Sequence, residues 1–510
     1  LVDLGQAFIR FGAPNHRLEG LMKAANEALQ LREVRFVVLP SSMLIAFGDG
    51  STGSSEISLV KGKPVLDIYR LSETYRIYKS LTHGIMGAYT ADSELAMLLD
   101  KDWTPVWSEY MRLAFAFWTA FIVCPMAFGG SLLDAVVAGI FGTGVALCSF
   151  RFASGNTVFS TLFEIFAVIV VSFISQALSA FENEKWVCYS AVSTAGVVTL
   201  LPGFLILSSS QEIAAKHAMS GSIKMIYALV YACFLGFCLD LGSQFYLVAD
   251  ESERILQTEA MAYLHPDTIT GTFTRLGNLT IPWTTGTFTF SNTTGVQIDP
   301  KFNHFVTDTC LRMPGSSWYL REWPVWTVFF LVPIYTVVTA FRHGQPFPSV
   351  KAWTWQAKQL VAMVVISGIS YAANRWTNRY FAKSDSVTAV GAFACGLAGN
   401  IYGRFMGGYA YTAMVPGVLF LVPSGIASVN GESYTGQNIT LRILQVSIGV
   451  TVGLGFTNWL VYLPKLAHLD PIRLRLPKRW GGLTKVELEI EKDSRKERTR
   501  LQEGKAIFAF

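Results

Sequence analysis

Two apolar segments of the chain are interrupted by the same dipeptide, Pro202-Gly203 in one and Pro416-Gly417 in the other. Proline removes a backbone donor and clashes with the preceding helical turn, whereas glycine tolerates the geometry that results. In lipid, a freed carbonyl is costly unless it is buried in protein or faces a water-filled cavity. A matched pair of such breaks in two halves of a membrane protein indicates a transporter binding site at the repeat interface. The sequence therefore predicts transport.

Small polar residues follow each Pro-Gly, and they are the candidates for contact with a substrate. Where a helix opens, its backbone groups and neighbouring side chains can bind the ammonium and carboxylate of an amino acid. Ordinary proline kinks are the alternative, and Glu212 is either part of an inner gate or a solvated loop residue. The predicted substrate-binding residues are Pro202, Gly203, Ser208, Ser209, Gln211, Glu212, Pro416, Gly417, Ser424 and Gly425.

Two carboxylates fall within apolar segments of the first half, Glu164 and Asp240. A carboxylate at the bilayer centre costs at least about 2.5–3.5 kcal/mol on insertion scales, so it normally has a partner or a task. Both residues are therefore candidates for proton coupling. The alternatives are a structural hydrogen bond between helices for Glu164 and a solvated position near the outer boundary for Asp240.

Composition places the chain among polytopic membrane proteins. Of its 510 residues, 51% are hydrophobic and only 15% are charged, and the mean hydropathy is +0.37, which is typical of membrane proteins. The formal net charge of +5 is too small to indicate a nucleic-acid partner. The expected partners are a lipid bilayer and a small-molecule substrate, and a homo-oligomer is compatible with the sequence.

The seven cysteines show no metal-ligand spacing. Six fall within apolar segments and only Cys310 lies in a polar loop, so we expect no internal disulfide framework, no metal and no cofactor. The chain begins at Leu1 rather than Met and shows no basic-then-apolar leader. It is therefore compatible with a fragment, in which the first apolar span would serve as the signal anchor.

Residues 1–107 are predicted to form a small α+β domain. The predicted elements are a helix over 16–32, strands over 34–40, 43–47 and 56–60, and helices over 71–81 and 93–99. Gly48 to Gly53 joins two strands, which favours a hairpin turn over a phosphate-binding loop. An enzymatic domain is the alternative, but the candidate groups show no nucleophile motif such as Gly-x-Ser-x-Gly. Those groups are His16, His83, Ser41, Ser42 and Asp49.

Ten apolar segments follow, each close to the 20 residues needed to cross a bilayer. They lie near 111–128, 132–149, 158–181, 187–208, 220–247, 323–341, 356–374, 385–403, 406–428 and 441–463. Five spans per half is an odd number, so the two halves would insert in opposite orientations. The predicted organisation is a cytosolic domain (1–107), a first five-helix half (108–248), an extracytoplasmic loop (249–322), a second five-helix half (323–463) and a basic cytoplasmic tail (464–510).

Three glycosylation acceptors, Asn278, Asn292 and Asn438, fall on one extracytoplasmic side in this topology. The basic tail then lies inside, as the positive-inside rule requires, although the loop 375–384 breaks that rule. Within the tail, Thr484 and Glu487 fit a capping box for a short helix, with disorder as the alternative. We expect an integral, multi-pass glycoprotein of the secretory pathway or the plasma membrane.

The run Phe11-Gly12-Ala13-Pro14-Asn15-His16-Arg17-Leu18-Glu19, with the order of parts that follows it, resembles the threonine/serine exporter family. Within that family it is similar to the fungal pheromone-regulated membrane protein 10 group. The shared order is a small cytosolic domain, five spans with a Leu-Pro-Gly break in the fourth, and five more with a second Pro-Gly. The resemblance covers nearly the whole chain and implies export of threonine and serine.

These observations together predict a polytopic α-helical exporter of small polar amino acids. It would have about ten transmembrane helices in two inverted five-helix halves, proton coupling through Glu164 or Asp240, and a small N-terminal cytosolic α+β domain as regulator or gate. Two alternatives remain open. One is a membrane-anchored hydrolase that acts through 1–107, and the other is a non-transporting membrane protein that acts in cell contact or mating.

Overall fold

The computed structural model describes residues 1–31, 33–49, 54–62, 64–100, 106–152, 157–181, 186–255, 267–273, 284–290, 317–321, 323–348, 353–380, 386–427 and 436–461. The described chain is mostly helical, with a small sheet near its start. The predicted tail helix and the acceptors Asn278 and Asn292 lie outside these residues.

In its described residues, the N-terminal domain has four helices and a three-stranded antiparallel sheet with strand order β1-β2-β3. Its elements are α1 (Val2–Arg10), α2 (Asn15–Ala28), β1 (Val34–Leu39), β2 (Ser42–Asp49), β3 (Ser54–Lys61), α3 (Ile68–Thr82) and α4 (Ala88–Leu99). β2 pairs with β3 as far as Asp49 opposite Ser54, which confirms the hairpin. Helix α1 was not predicted, although Leu4, Ala7 and Phe8 lie at helical spacing and are buried.

The remaining helices follow in two groups. They are α5 (Glu109–Phe128), α6 (Leu132–Phe152), α7 (Thr157–Ala180), α8 (Tyr189–Gly196), α9 (Gly203–Ala214), α10 (Ala218–Ala249), α11 (Val328–Arg342), α12 (Trp353–Tyr380), α13 (Ser386–Met406), α14 (Ala410–Ala427) and α15 (Gly436–Val461). Helix lies at each of the ten predicted positions. In the described chain, six helices are long and apolar enough to cross a membrane, or seven if the bent pair α8–α9 is one span. The fold is therefore that of a polytopic membrane protein, and the count of ten spans stays a prediction.

The two groups of helices repeat the same pattern of contacts. In α5–α10, α5 packs on α6, α7 on α10, and α8 on α5, α6 and α7. In α11–α15, α11 packs on α12, α13 on α15, and α14 on α11, α12 and α13. The groups meet where α9 and α10 pack against α15, α9 against α14, and α5 against α11. Helix α9 therefore lies at the junction of both groups.

The segment between the two groups contains a β-hairpin that was not predicted. Strands β4 (Asp267–Phe273) and β5 (Thr284–Phe290) are antiparallel. Gly271 lies opposite Gly286 in their register. The loop predicted over 249–322 thus includes regular structure, since its alternating Thr and Phe residues suit a strand.

One cysteine corrects a prediction from the sequence. Cys188 is disulfide-bonded, whereas no internal disulfide was expected. It falls within the predicted apolar segment 187–208, at the end of that segment, and is the N-cap of α8. Its backbone N–H donates to the fully buried carboxylate of Asp134 at 2.9 Å. The other described cysteines, Cys124, Cys148, Cys233, Cys238 and Cys395, are free thiols.

Candidate functional site

The first Pro-Gly ends one helical segment and begins another, as the sequence predicts. A short 3-10 turn over Val198–Leu200 follows α8, and Pro202 is the N-cap of α9. The two segments are bent by 63°. The carbonyl of Thr199 accepts a hydrogen bond from Arg342 Nη2 at 3.3 Å. Because Arg342 ends α11, the second group of helices stabilises the break in the first.

Helix α9 carries a run of buried polar side chains, which we call the polar strip. It consists of Ser208, Ser209, Ser210, Gln211 and Glu212, each at most 3% exposed. Ser210 Oγ accepts from Thr451 Oγ1 at 3.0 Å. Gln211 Oε1 has no hydrogen-bond partner among the described residues, and its Nε2 lies 3.8 Å from Met414 Sδ. Burying polar groups is costly unless they are paired, so this strip is a candidate for a functional role.

Glu212 is the last residue of the polar strip and its charged member. Its side chain is completely buried. Oε1 accepts from the Asn15 backbone N–H at 2.9 Å, from Lys224 Nζ at 2.5 Å and from Ser208 Oγ at 3.4 Å. Oε2 accepts from Ser220 Oγ at 2.6 Å. A buried carboxylate is tolerated when a cation and hydrogen-bond donors surround it, and both are present here.

The N-terminal domain supplies Asn15 from the first turn of α2. The side-chain Nδ2 of Asn15 donates to Ser220 Oγ at 2.7 Å and lies 3.4 Å from the Leu39 carbonyl. A carboxylate next to a helix N-terminus is stabilised by the unpaired N–H groups and the helix dipole. Glu212 therefore acts as an external partner for the start of α2.

Gly12, three residues before Asn15, has a left-handed backbone conformation. Gly12 has φ +84°, and a Cβ there would lie 3.0 Å from the ring of Phe204 on α9. Beside this contact is a cavity of about 20 Å³ bordered by Asn15, Ser208 and Lys224, which is room for about one water molecule. Gly12 and Asn15 both belong to the sequence run on which the family resemblance rests.

A cluster of cationic and imidazole groups lies beside Glu212. The rings of His16 and His217 are 6.5 Å apart. Burial of the His16 imidazole, with the nearby Arg17, His217 and Lys224, lowers the pKa of His16 well below its usual range. Its Nδ1 has no hydrogen-bond partner among the described residues. His16 is therefore neutral near pH 7.

The N-terminal domain also contacts the second group of helices. The ring of Tyr75 stacks on Tyr409 with centroids 4.5 Å apart. On the same side, Gln359 Nε2 donates to Ser72 Oγ at 2.7 Å and to Thr412 Oγ1 at 3.2 Å. The domain thus bridges both groups of helices, through α2 on one side and α3 on the other.

The second Pro-Gly corrects the sequence prediction of a matched break. Helix α14 continues through Pro416, and also contains Pro423. A Cβ on Gly417 would meet Cys395 Sγ at 3.0 Å and the Ser367 Cα at 3.4 Å. Gly417 therefore allows close packing of α14 on α12 and α13. A proline inside a membrane helix is tolerated where neighbouring helices enclose it.

The structure brings together only part of the two predicted clusters of substrate-binding residues. A Cβ on Gly203 would lie 2.8 Å from Leu419 Cδ2, whereas Gln211 faces Met414, so α9 and α14 run antiparallel. Ser424 is ten residues beyond Met414, about 15 Å along a helix. Its Oγ accepts from Asn374 Nδ2 at 2.9 Å, and Gly425 follows it in α14. The structure therefore brings Pro202 and Gly203 close to α14, but separates the polar strip from Ser424.

The two predicted proton-coupling residues have neighbours on other helices. Tyr231 donates its hydroxyl proton to Glu164 Oε2 at 2.8 Å, which links α7 to α10. Asp240 is half-buried on α10 and interacts electrostatically with Tyr189. Neither residue contacts the polar strip through a described hydrogen bond. Asn438, a predicted glycosylation acceptor, lies in the first turn of α15.

The candidates for an enzymatic role occupy structural positions in the N-terminal domain. His83 is the C-cap of α3, and Ser41 lies in the turn between β1 and β2 with φ +61°. Among the described residues, no group of His, Cys, Asp and Glu could hold a metal ion. These positions give no support to the hydrolase alternative.

Sequence reasoning missed three residues of the site, Asn15, Ser220 and Lys224. Lys224 offered a signal, since it is a cation at the start of a long apolar segment, and its side chain is only 13% exposed. Asn15 was noted only as a helix start. No local pattern shows that it meets Glu212, because the two residues are 197 positions apart.

A polytopic helical bundle with a bent helix and a buried polar strip at the junction of two groups of helices is typical of membrane transporters. Residues 1–246 match the model of the threonine/serine exporter family. The resemblance inferred from the sequence is thereby confirmed, over slightly less than half of the chain.

Curated relatives extend the similarity beyond that match. They are pheromone-regulated membrane protein 10 of Eremothecium gossypii, of Candida glabrata and of Kluyveromyces lactis, each 28% identical. The alignments cover 91% of this chain and 56%, 52% and 43% of those proteins. The chain thus spans about half the length of the curated relatives it matches. No solved structure matches the chain.

Proposed function

We propose that the chain is an exporter of small polar amino acids of the threonine and serine type. The observation that carries the proposal is the bend at Pro202, followed directly by the polar strip of α9. Transporter sites are commonly built from such discontinuous helices at the interface of two repeats. The match of residues 1–246 to the threonine/serine exporter family supports the same substrate class.

In this proposal the N-terminal domain is a gate on the cytosolic side. It contacts α9 and α10 through Asn15, and α12 and α14 through Ser72. A rigid body that bridges both groups of helices would have to separate from one of them before the groups can move apart. Its docked position corresponds to the closed state.

The topology with two inverted halves belongs to the same proposal. The repeated contact pattern of α5–α10 and α11–α15 supports an internal repeat. The disulfide at Cys188 supports an extracytoplasmic start for α8, since disulfides persist in oxidising compartments. The domain and the tail from 464 would then both be cytosolic, with 249–322 outside.

Proton coupling is proposed for Glu164 and Asp240. In proteoliposomes with an imposed pH gradient, Glu164→Gln or Asp240→Asn should slow proton-driven transport without loss of folding. If both variants keep the original rate and pH profile, neither residue couples protons, and the exporter proposal itself is unaffected.

Substrate-resolved efflux tests the function. Proteoliposomes containing the full chain would be loaded with radiolabelled L-threonine, L-serine or L-leucine. We expect threonine and serine to leave these proteoliposomes at least about tenfold faster than they leave protein-free liposomes. Leucine should leave at close to the background rate. Equal efflux of all three in the presence and absence of the protein would contradict an exporter of this class.

A further inference from the structure

We propose that Asn15 is a built-in substrate mimic: in the docked state it occupies the place where a small polar amino acid binds between Glu212 and Ser220. The inference rests on the proposed export function and deepens it. It assigns the binding site to the junction of α9, α10 and the tip of the N-terminal domain.

The hydrogen bonds of Asn15 are those that a free amino acid would make. Its backbone nitrogen donates to Glu212 Oε1 at 2.9 Å, as an α-ammonium group would. Its side-chain Nδ2, three bonds from the Cα, donates to Ser220 Oγ at 2.7 Å, and the hydroxyl of serine or threonine, two bonds from its own Cα, can donate to the same oxygen. The carboxylate of Glu212 is completely buried and suits a cationic nitrogen better than a neutral one.

Lys224 supplies the group that a substrate carboxylate requires. Its Nζ contacts Glu212 Oε1 and lies 3.3 Å from Ser208 Oγ. A zwitterionic amino acid would place its ammonium on Glu212 and its carboxylate against Lys224, so both buried charges would stay paired. The small cavity bordered by Asn15, Ser208 and Lys224 leaves space on the side where that carboxylate would lie.

The enclosure of the site limits the side chain of the ligand. In the docked state Asn15 is 6% exposed and Ser220 is 7% exposed. A short side chain with one polar group can donate to Ser220 Oγ in place of Asn15 Nδ2. A long apolar side chain would leave that oxygen without this donor, which is costly in a buried site. The expected ligands are therefore serine, threonine and similar small polar amino acids.

Mimicry makes ligand binding and domain docking mutually exclusive. A free amino acid can occupy the site only after Asn15 has left it, and a docked domain must first expel the ligand. By linkage, a ligand that binds only the undocked state shifts the equilibrium towards undocking. This competition distinguishes a mimic from an ordinary structural contact.

Cross-linking in the full chain measures that competition at a distance from the site. Ser72 Oγ on α3 and Thr412 Oγ1 on α14 are 3.4 Å apart, so the pair Ser72→Cys and Thr412→Cys reports the docked domain. We expect saturating L-threonine to slow oxidative cross-linking at least threefold. N-acetyl-L-threonine, which lacks the ammonium group, should have no effect. Cross-linking that is independent of threonine would overturn the mimic.

The second test measures the affinity for L-threonine of a protein that lacks the Asn15 side chain. We expect Asn15→Ala to bind L-threonine at least threefold more tightly than the original protein, because the competing side chain is lost. Asn26→Ala, on the same helix, is the matched control and should not change affinity, because the Asn26 side chain donates to the Leu31 carbonyl just beyond the end of α2. Unchanged affinity in a folded Asn15→Ala protein would overturn the inference.

Different results of these experiments would contradict the mimic alone or the exporter proposal together with the mimic. If the original protein exports threonine but neither cross-linking nor Asn15→Ala affinity responds as expected, only the mimic is wrong. If the original protein and Asn15→Ala both fail to bind or export any of the three amino acids, the exporter proposal fails, and the mimic fails with it.

Discussion

Glu212 shows how one buried carboxylate links three parts of the chain. It receives donors from α2, from its own helix and from α10. Each donor offsets part of the cost of removing the charge from water. The sequence is compatible with an inner gate or a solvated loop at this residue, and its complete burial excludes the solvated loop.

At the residue scale, we expect Glu212→Gln to destabilise the protein by about 3–5 kcal/mol, because Lys224 is left as a buried charge without a counter-ion. Thermal unfolding of the purified protein would measure this loss. The double variant Glu212→Gln with Lys224→Met should recover part of it, since neither charge then remains. Glu27→Gln, at an exposed position of α2, is the control. Additive losses in the double variant would contradict the ion pair.

The depressed pKa of His16 gives a pH prediction. Because the folded protein holds His16 neutral, the unfolded or undocked state binds the extra proton first. The neutral His16 therefore contributes to the free energy of unfolding at pH values above the ordinary histidine pKa of about 6.5. That contribution is lost as the pH falls below this value. We expect the free energy of unfolding, measured by chemical denaturation of the purified protein, to fall between pH 7.5 and 5.5. His16→Asn should flatten this dependence, and an equally steep profile in that variant would assign it to another group.

At the scale of elements, the two Pro-Gly dipeptides have different structural roles. Pro202 begins α9 after a bend of 63°, while Pro416 lies inside a continuous helix. The difference comes from what surrounds each proline. Arg342 pairs with the carbonyl freed at Thr199, whereas α12 and α13 pack closely against the second helix at Gly417.

We expect replacement of both Pro202 and Gly203 by alanine to straighten the bend and to reduce substrate affinity roughly tenfold, about 1.4 kcal/mol. Alanine restores the missing donor and favours a regular helix. Pro416→Ala is the matched control and should change affinity by less than about twofold, because α14 is already helical there. Equal losses in both variants, measured by ligand binding on monodisperse protein, would contradict distinct roles for the two sites.

At the scale of the whole molecule, the N-terminal domain and the two groups of helices form one connected structure. The domain contacts α9 and α10 on one side and α12 and α14 on the other. Its movement is therefore coupled to any separation of the two groups. The proposed gate depends on this connection rather than on a single residue.

The topology prediction belongs to this scale. We expect glycan at Asn278 or Asn292 and a cytosolic position for a tag placed after Phe510. Glycosidase mobility shifts and antibody accessibility with and without permeabilisation would measure the two. A tag that is detected on intact cells would exclude the arrangement of inverted halves.

Much of the architecture could be predicted because local patterns determine it. Apolar segments of about 20 residues located helices at all ten positions, and β-strand signals around Gly48 located the hairpin. Pro202 followed by glycine ends a helix for reasons within its own turn. The run from Phe11 to Glu19, together with the order of the parts that follow it, indicated the resemblance to the exporter family.

Only the tertiary structure decided what those elements do together. Asn15 meets Glu212 and Ser220 across about 200 positions of sequence, and Arg342 meets Thr199 across 143. No periodicity or spacing in the sequence indicates such pairs, because hydrogen bonds between distant segments depend on how the helices pack. The same reason explains the second Pro-Gly, where the enclosing helices rather than the dipeptide determine that α14 stays continuous.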